Sequence, residues 1–439
     1  MVCVYRAVTQ SFVHDEALTY QLYLSRPAAE MFHVFSANHH FLNTLLMYAC
    51  ASVFGFSEWS LRIPALAGAA LYFAAVYCIS RHAFGAGNTF LLAVALLTLH
   101  PFILDFMVAA RGYGMALGFL MWALALMLET PTPRRLAVTA ISLSLSAMGS
   151  LVFVLPAAIL AGFLVWRFRK SPATWTYFVA PILAMALLFA LISPLRSATP
   201  DRFYAGAPSL QETLRRLARV TVAHRREWRE APYFPWARDS VALFLGPAIL
   251  LVGLATQIVR RNVLVLLSSV TVVGSALMLW MLHLFFNVLY PEDRTAIYFI
   301  PLTLLTLIGL AGDSPRRFRP VVYVLSITLL IIFVGQWNVR MFFVWYYDAD
   351  TREIVQRIAA ERGANSVRIS SSWPLEPSLN FYRETNHWTW IQPVTRVPLS
   401  PGYDYYAIVE EDRAAIEALG LKALFRGEPS GTVLAVPMR

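Results

Sequence analysis

Four groups of residues in this chain have the types and spacing to do chemistry. His14-Asp15-Glu16 sets two adjacent carboxylates beside an imidazole. Such a pair can supply a general base together with a group that orients a partner or a cation. A solvated loop pair accounts for the same residues on local sequence alone. Asp105 closes one apolar block, and Arg111-Gly112-Tyr113 opens the next. Charges at that depth are costly and usually face a cavity or a partner. A structural Asp105–Arg111 pair explains them equally well. Tyr290-Pro291-Glu292-Asp293-Arg294, followed by Tyr298 and Pro301, places an arginine ahead of a helix start. A guanidinium there can hold a phosphate bidentately, helped by the helix dipole. The other reading is a turn whose acid and base neutralise each other. Asn38-His39-His40, with His33, could ligate a metal. No helical i, i+4 pair with a carboxylate accompanies it, which favours interfacial polar residues instead.

The elements that must position these residues are apolar helices. Of 439 residues, 58% are apolar and 14% charged, about half the charge of a soluble domain. The apolar residues fall into blocks of about 17–25, long enough to cross a bilayer as helix. Lipid admits only helices and closed barrels, and the alternation of barrel strands is absent. Ten spanning blocks are expected, near 61–80, 88–104, 112–128, 136–148, 151–168, 175–192, 241–259, 263–286, 295–311 and 321–336. The fold class that follows is a mainly α, polytopic helical bundle with a small C-terminal α/β domain.

Charge orients the bundle. The net charge of +10 comes from short basic loops, and only Lys170 and Lys422 among the basic residues are lysines. Nucleic acid is therefore no partner; the charge reports topology. Arg81, Arg134-Arg135, Arg167 to Lys170, Arg260-Arg261 and Arg316 to Arg319 occupy alternate loops, which the positive-inside rule makes cytoplasmic. The other loops and the tail then lie outside, the expectation for a multi-pass protein of a bacterial inner membrane. All four chemical groups fall on that outer side. The same rule puts the N-terminus outside with no signal peptide ahead of it, so a first spanning helix upstream of Met1 is expected. The first outer loop is 11–60, with an interfacial helix at 41–56. The loop 196–238 carries an Arg-rich amphipathic stretch at 210–230. In the tail, helices are expected at 353–362 and 412–419, and strands at 366–371, 404–409 and 432–436.

No Walker A loop, no GxGxxG after a strand and no GxSxG occurs. Cys3, Cys50 and Cys78 form no metal or disulfide pattern. A secondary transporter or flippase is the alternative reading. It would place ionisable groups near mid-membrane, whereas here the block centres are nearly free of charge.

The chain resembles the GT-C superfamily of membrane glycosyltransferases, in the branch of protein O-mannosyltransferases and the aminoarabinose transferase. The resemblance runs from about 11 to 336. It is carried by His14-Asp15-Glu16-Ala17, Asn38-His39-His40-Phe41-Leu42, Gly55-Phe56-Ser57-Glu58-Trp59-Ser60-Leu61-Arg62-Ile63-Pro64, Ala110-Arg111-Gly112-Tyr113, and Arg294 before Tyr298 and Pro301. The family often has Asn-His-Pro-Pro where this chain has Asn38-His39-His40-Phe41. The resemblance implies a sugar donor on a polyprenyl phosphate and a lipid, glycan or protein acceptor. It implies Asp15 as the base and Glu16 as a group that orients the acceptor or helps hold a cation. Arg294 would grip the donor phosphate with Arg111 nearby, and the anomeric centre would invert. His14, His39, His40, Tyr113, Tyr290 and Tyr298 are further candidates for binding substrate. A divalent cation is left open, with Asp105 as its candidate ligand. Residues 1–336 would form the transferase domain and 337–439 a small outer domain.

Overall fold

The computed structural model describes residues 1–36, 38–199, 206–313, 316–361 and 366–438. The apolar blocks are helices because lipid leaves a backbone no other way to pair its own polar groups. Asn262 and Asn287 show how one such helix is bounded. Asn262 Oδ1 accepts from the backbone N–H of Leu264 at 3.0 Å, capping the helix Val263–Phe286. Asn287 ends it in the left-handed conformation, φ 52°, and its N–H returns to His283 O. An asparagine at each end is the capping chemistry expected of a short polar side chain. Five helices among the described residues are long and apolar enough to cross a membrane: Glu58–Phe84, Leu151–Phe168, Pro172–Ile192, Phe234–Arg260 and Val263–Phe286. Shorter apolar helices, Asn88–Thr98, Gly112–Met127, Phe299–Gly312 and Arg319–Gly335, accompany them, as does Pro133–Gly149. The protein is a multi-pass, mainly helical membrane protein.

Two expected helices are divided. The block 88–104 breaks into Asn88–Thr98 and Pro101–Phe106. Pro101 drives His100 out of the helical region, to ψ 118°. The amphipathic stretch 210–230 is a helix only over Leu210–Val222, with a short turn at Arg226–Arg229.

The chain forms two compact units. One comprises Met31–Asn43 and Pro64–Trp337. Its helices approach closely where side chains vanish. A Cβ on Gly118 would lie 2.4 Å from Gly68 O, and one on Gly112 would lie 1.9 Å from Gly149 O. Backbone contact of this kind replaces side-chain interdigitation in membrane bundles, and it fixes the turn that holds Arg111.

The other unit comprises Met1–Glu30, Thr44–Ile63 and Asn338–Arg439. Its sheet has four strands in the order β1-β2-β4-β3: β1 Ile369–Ser371, β2 Tyr405–Ile408, β3 Leu421–Arg426 and β4 Val433–Pro437. β1 and β2 are parallel, and the remaining pairs antiparallel. Tyr406, Ile408, Leu421, Val433 and Ala435 make its core. The expected helices appear as Thr351–Glu361 and Ala414–Ala418; residue 362 lies outside the described residues. The helix Glu376–Thr385 and strand β3 had no counterpart in the sequence reading. Phe12 stacks on Phe381 with centroids 4.1 Å apart, and the Phe12 amide donates to the buried Tyr382 hydroxyl at 2.8 Å. The first outer loop and the tail region thus share one core.

Candidate functional site

In the unit with the sheet, the site grows from Arg62. Its side chain is fully buried, and so is that of Glu16. Arg62 Nε donates to Glu16 Oε1 at 2.9 Å and Nη2 to Oε2 at 2.6 Å. Nη1 donates to the carbonyls of Ala7 and Gln10, and Nη2 to that of Ser11. A guanidinium has five N–H groups, and here all five are used. Glu16 Oε2 also accepts the Val13 amide at 2.9 Å, closing the first turn of the helix His14–Thr19 in the manner of an N3 glutamate. The carboxylate of Glu16 is thereby committed, and a cation would have to compete with a bidentate guanidinium for it. Asp15, on the same turn, is 7% exposed.

The tail region supplies the next layer. Asp348 Oδ2 accepts the His14 amide at 2.7 Å, and its Oδ1 accepts the Ser378 hydroxyl at 2.6 Å. Burial pushes the Asp348 carboxyl up to about 8, against its hydrogen-bond donors and reinforced by the charge of Glu16. His14 Nδ1 donates to Pro374 O at 2.7 Å. Burial lowers the His14 pKa, so the neutral ring presents Nε2 as an acceptor. Arg352 bridges Glu58 to the carbonyls of Val8 and Gln10.

In the helical unit, Arg111 sits at the start of the helix Gly112–Met127 and is 1% exposed. Its Nη1 donates to Asn38 O at 3.2 Å, while Asn43 Nδ2 donates to Ala110 O at 3.2 Å. The two bonds stitch the 38–43 segment to the Ala110-Arg111 turn. His40 packs edge-on to Tyr113, ring centroids 4.5 Å apart. Burial and the Arg111 charge bring His39 down to about 4. Burial, Arg111, His39 and Arg294 hold His40 well below its ordinary value. Two guanidinium charges therefore act on one buried imidazole, and the sequence groups at 38–40 and 111–113 come together. A small cleft beside them is walled by Phe35, Phe41, Leu151, Phe189 and Leu195.

Other expected residues are placed differently. Asp105 is not explained by a pairing with Arg111 alone: its Oδ2 lies 3.0 Å from Nε2 of buried His224. Among the described residues no group of three or more His, Cys, Asp or Glu gathers as a metal site would require. Glu292 and Asp293 do not serve simply to neutralise Arg294; they bind Arg216 and Arg219. Tyr290 pairs its backbone with Ala207, and its ring lies against His283. Tyr298 is buried between Phe153 and Phe299. His33 is exposed. Arg62, Asp348 and His224 were not singled out from sequence. Arg62 stood in a quoted motif without a role, and the other two lack any local signal.

Solved structures share this arrangement of elements. ArnT from Cupriavidus metallidurans in the apo state superposes with a TM-score of 0.53 at 13% identity, covering 99% of this chain and 95% of its own. The chain has the ArnT fold. ArnT bound to undecaprenyl phosphate gives a TM-score of 0.50 at 14% identity over 99% and 96% of the two chains. The oligosaccharyltransferase of Archaeoglobus fulgidus, complexed with Zn and sulfate, covers 98% of this chain and 70% of its own at a TM-score of 0.42 and 11% identity. No protein-family model and no curated protein sequence matches the chain.

Proposed function

We propose that the protein is an inverting glycosyltransferase that moves a sugar from a polyprenyl phosphate to an acceptor hydroxyl on the outer face of a bacterial inner membrane. The observation that carries this reading is the buried Arg111 at a helix start, tied to Asn38 O with His40 packed on Tyr113 beside it, in a fold shared with a protein that binds undecaprenyl phosphate. Neutral imidazoles beside a buried guanidinium leave net positive charge at this turn, which suits a phosphate.

The chemistry assigned to each group is as follows. The acceptor oxygen attacks the anomeric carbon as the bond from that carbon to the phosphate oxygen breaks. The hydroxyl proton passes to the Asp15 carboxylate. The polyprenyl phosphate leaves as an anion, so Arg294 and Arg111 stabilise the charge that a hydrolase would quench with an acid. Glu16, fixed by Arg62, braces the turn that carries Asp15. The ester supplies the driving force, in keeping with the lack of a nucleotide motif.

The test is turnover of a radiolabelled polyprenyl-phosphate sugar in membranes, wild type against Asp15→Asn. Label should reach an acceptor with wild type. Asp15→Asn should stop transfer while polyprenyl-phosphate binding survives. Folded wild type that releases no polyprenyl phosphate from any common sugar donor would refute the reading.

A further inference from the structure

Glu292 and Asp293 are an electrostatic problem for a phosphate site. They immediately precede Arg294, and two carboxylates that close would repel the anion or compete for the guanidinium. The fold deals with them through the helix Leu210–Val222. Arg216 binds Glu292 through Nη1, and Arg219 Nη2 meets both carboxylate oxygens of Asp293 at 2.9 Å. The same helix is fastened to this segment by uncharged contacts. Thr213 donates to Pro291 O at 2.7 Å, and the backbones of Ala207 and Tyr290 pair in both directions. Asp293 adopts a left-handed backbone, φ 41°, a conformation strained for a non-glycine residue. Its ion pair with Arg219 holds the carboxylate in that strained turn.

We infer that Arg216 and Arg219 are positioning residues for polyprenyl-phosphate binding, engaging Glu292 and Asp293 and cancelling their charge next to Arg294. This rests on the reading of Arg294 as a phosphate ligand. The arginines work through the carboxylates, so removing the carboxylates makes them dispensable. A purely structural role would not behave that way.

The experiment measures the affinity of the purified full chain for undecaprenyl phosphate. Arg216→Ala with Arg219→Ala should weaken binding about ten-fold, because two nearby negative charges are unmasked. Adding Glu292→Gln and Asp293→Asn should bring affinity back to within about three-fold of wild type. Wild-type affinity in the double-alanine variant, or a loss that the carboxylate changes do not restore, overturns the inference. Should the alanine variant fail to fold, Glu292→Gln with Asp293→Asn alone serves. It leaves both arginines uncancelled and should tighten binding several-fold, and unchanged affinity counts against the inference. Arg294→Ala separates the two layers of argument: if it binds as tightly as wild type, the phosphate assignment falls and takes the inference with it. If Arg294→Ala loses binding while the carboxylate rescue fails, only the inference falls.

Discussion

Replacing Arg62 by methionine tests how the loop carrying Asp15 is held. The change keeps length and removes charge. It takes the bidentate guanidinium from buried Glu16, and it removes that donor from the carbonyls of Ala7, Gln10 and Ser11, of which Gln10 O keeps Arg352. Contacts of the guanidinium with the rings of Phe12 and Phe342, at 5.6 and 5.2 Å, are lost as well. Breaking one side of a buried ion pair costs about 3–5 kcal/mol, and the orphaned carbonyls add to it. The melting midpoint in detergent should fall by about 3–5 °C. Limited proteolysis should open the chain between residues 7 and 16. Arg62→Lys should fall between, since an ammonium has three donors for a site that uses five. Combining Arg62→Met with Glu16→Leu should recover part of the loss, because no buried charge is then left alone, though the carbonyls stay unserved. A midpoint for Arg62→Met within about 2 °C of wild type would refute the argument that this pair organises the loop.

Three further outcomes follow from the same physics. Gly112→Ala should destabilise by about 3 kcal/mol or more, since its Cβ would meet Gly149 O at 1.9 Å and His40 Cβ at 2.8 Å. Gly162→Ala, with nothing within 4 Å, should be neutral or slightly stabilising in the same melting assay. For Asp348 the folded pKa is raised from 3.8 to about 8. The folded state then binds the proton more tightly than the unfolded chain does, so the contribution is full below pH about 4 and lost as pH rises through about 8. Melting midpoints between pH 5 and pH 9 should fall less steeply in Asp348→Asn than in wild type. Parallel curves would show that this carboxyl is ionised throughout.

Much of the helical scaffold was legible because lipid leaves so few options. The block 263–286 coincides with its helix, and the asparagines at 262 and 287 mark both ends. The break at His100 had a visible cause in Pro101, yet apolar composition on both sides masked it. The meeting of 38–40 with 111–113 could be proposed from order and type, since each lies at the end of an apolar block. What sequence could not supply was partner choice. Glu16 finds Arg62 46 residues away, and Asp105 finds His224 119 residues away. Charge pairing of that range depends on how helices cross, and nothing local encodes it. Glu292, Asp293 and Arg294 illustrate the same limit: adjacency suggested mutual neutralisation, whereas the acids pair with a different helix.

The bonds that fix the Asp15 turn also say something about biosynthesis. His14 waits for Asp348, 334 residues later, and for Pro374, 360 residues later, while Phe12 waits for Tyr382. At ribosomal speeds of about 5–20 residues per second, that is a delay of roughly 20–70 s. During it the segment has its Arg62 brace but none of these tail contacts. The Asp15 turn is therefore among the last parts of the protein to mature. A nascent chain stalled between the last apolar helix and the sheet would carry every apolar helix described above and still lack the tail contacts of the Asp15 turn.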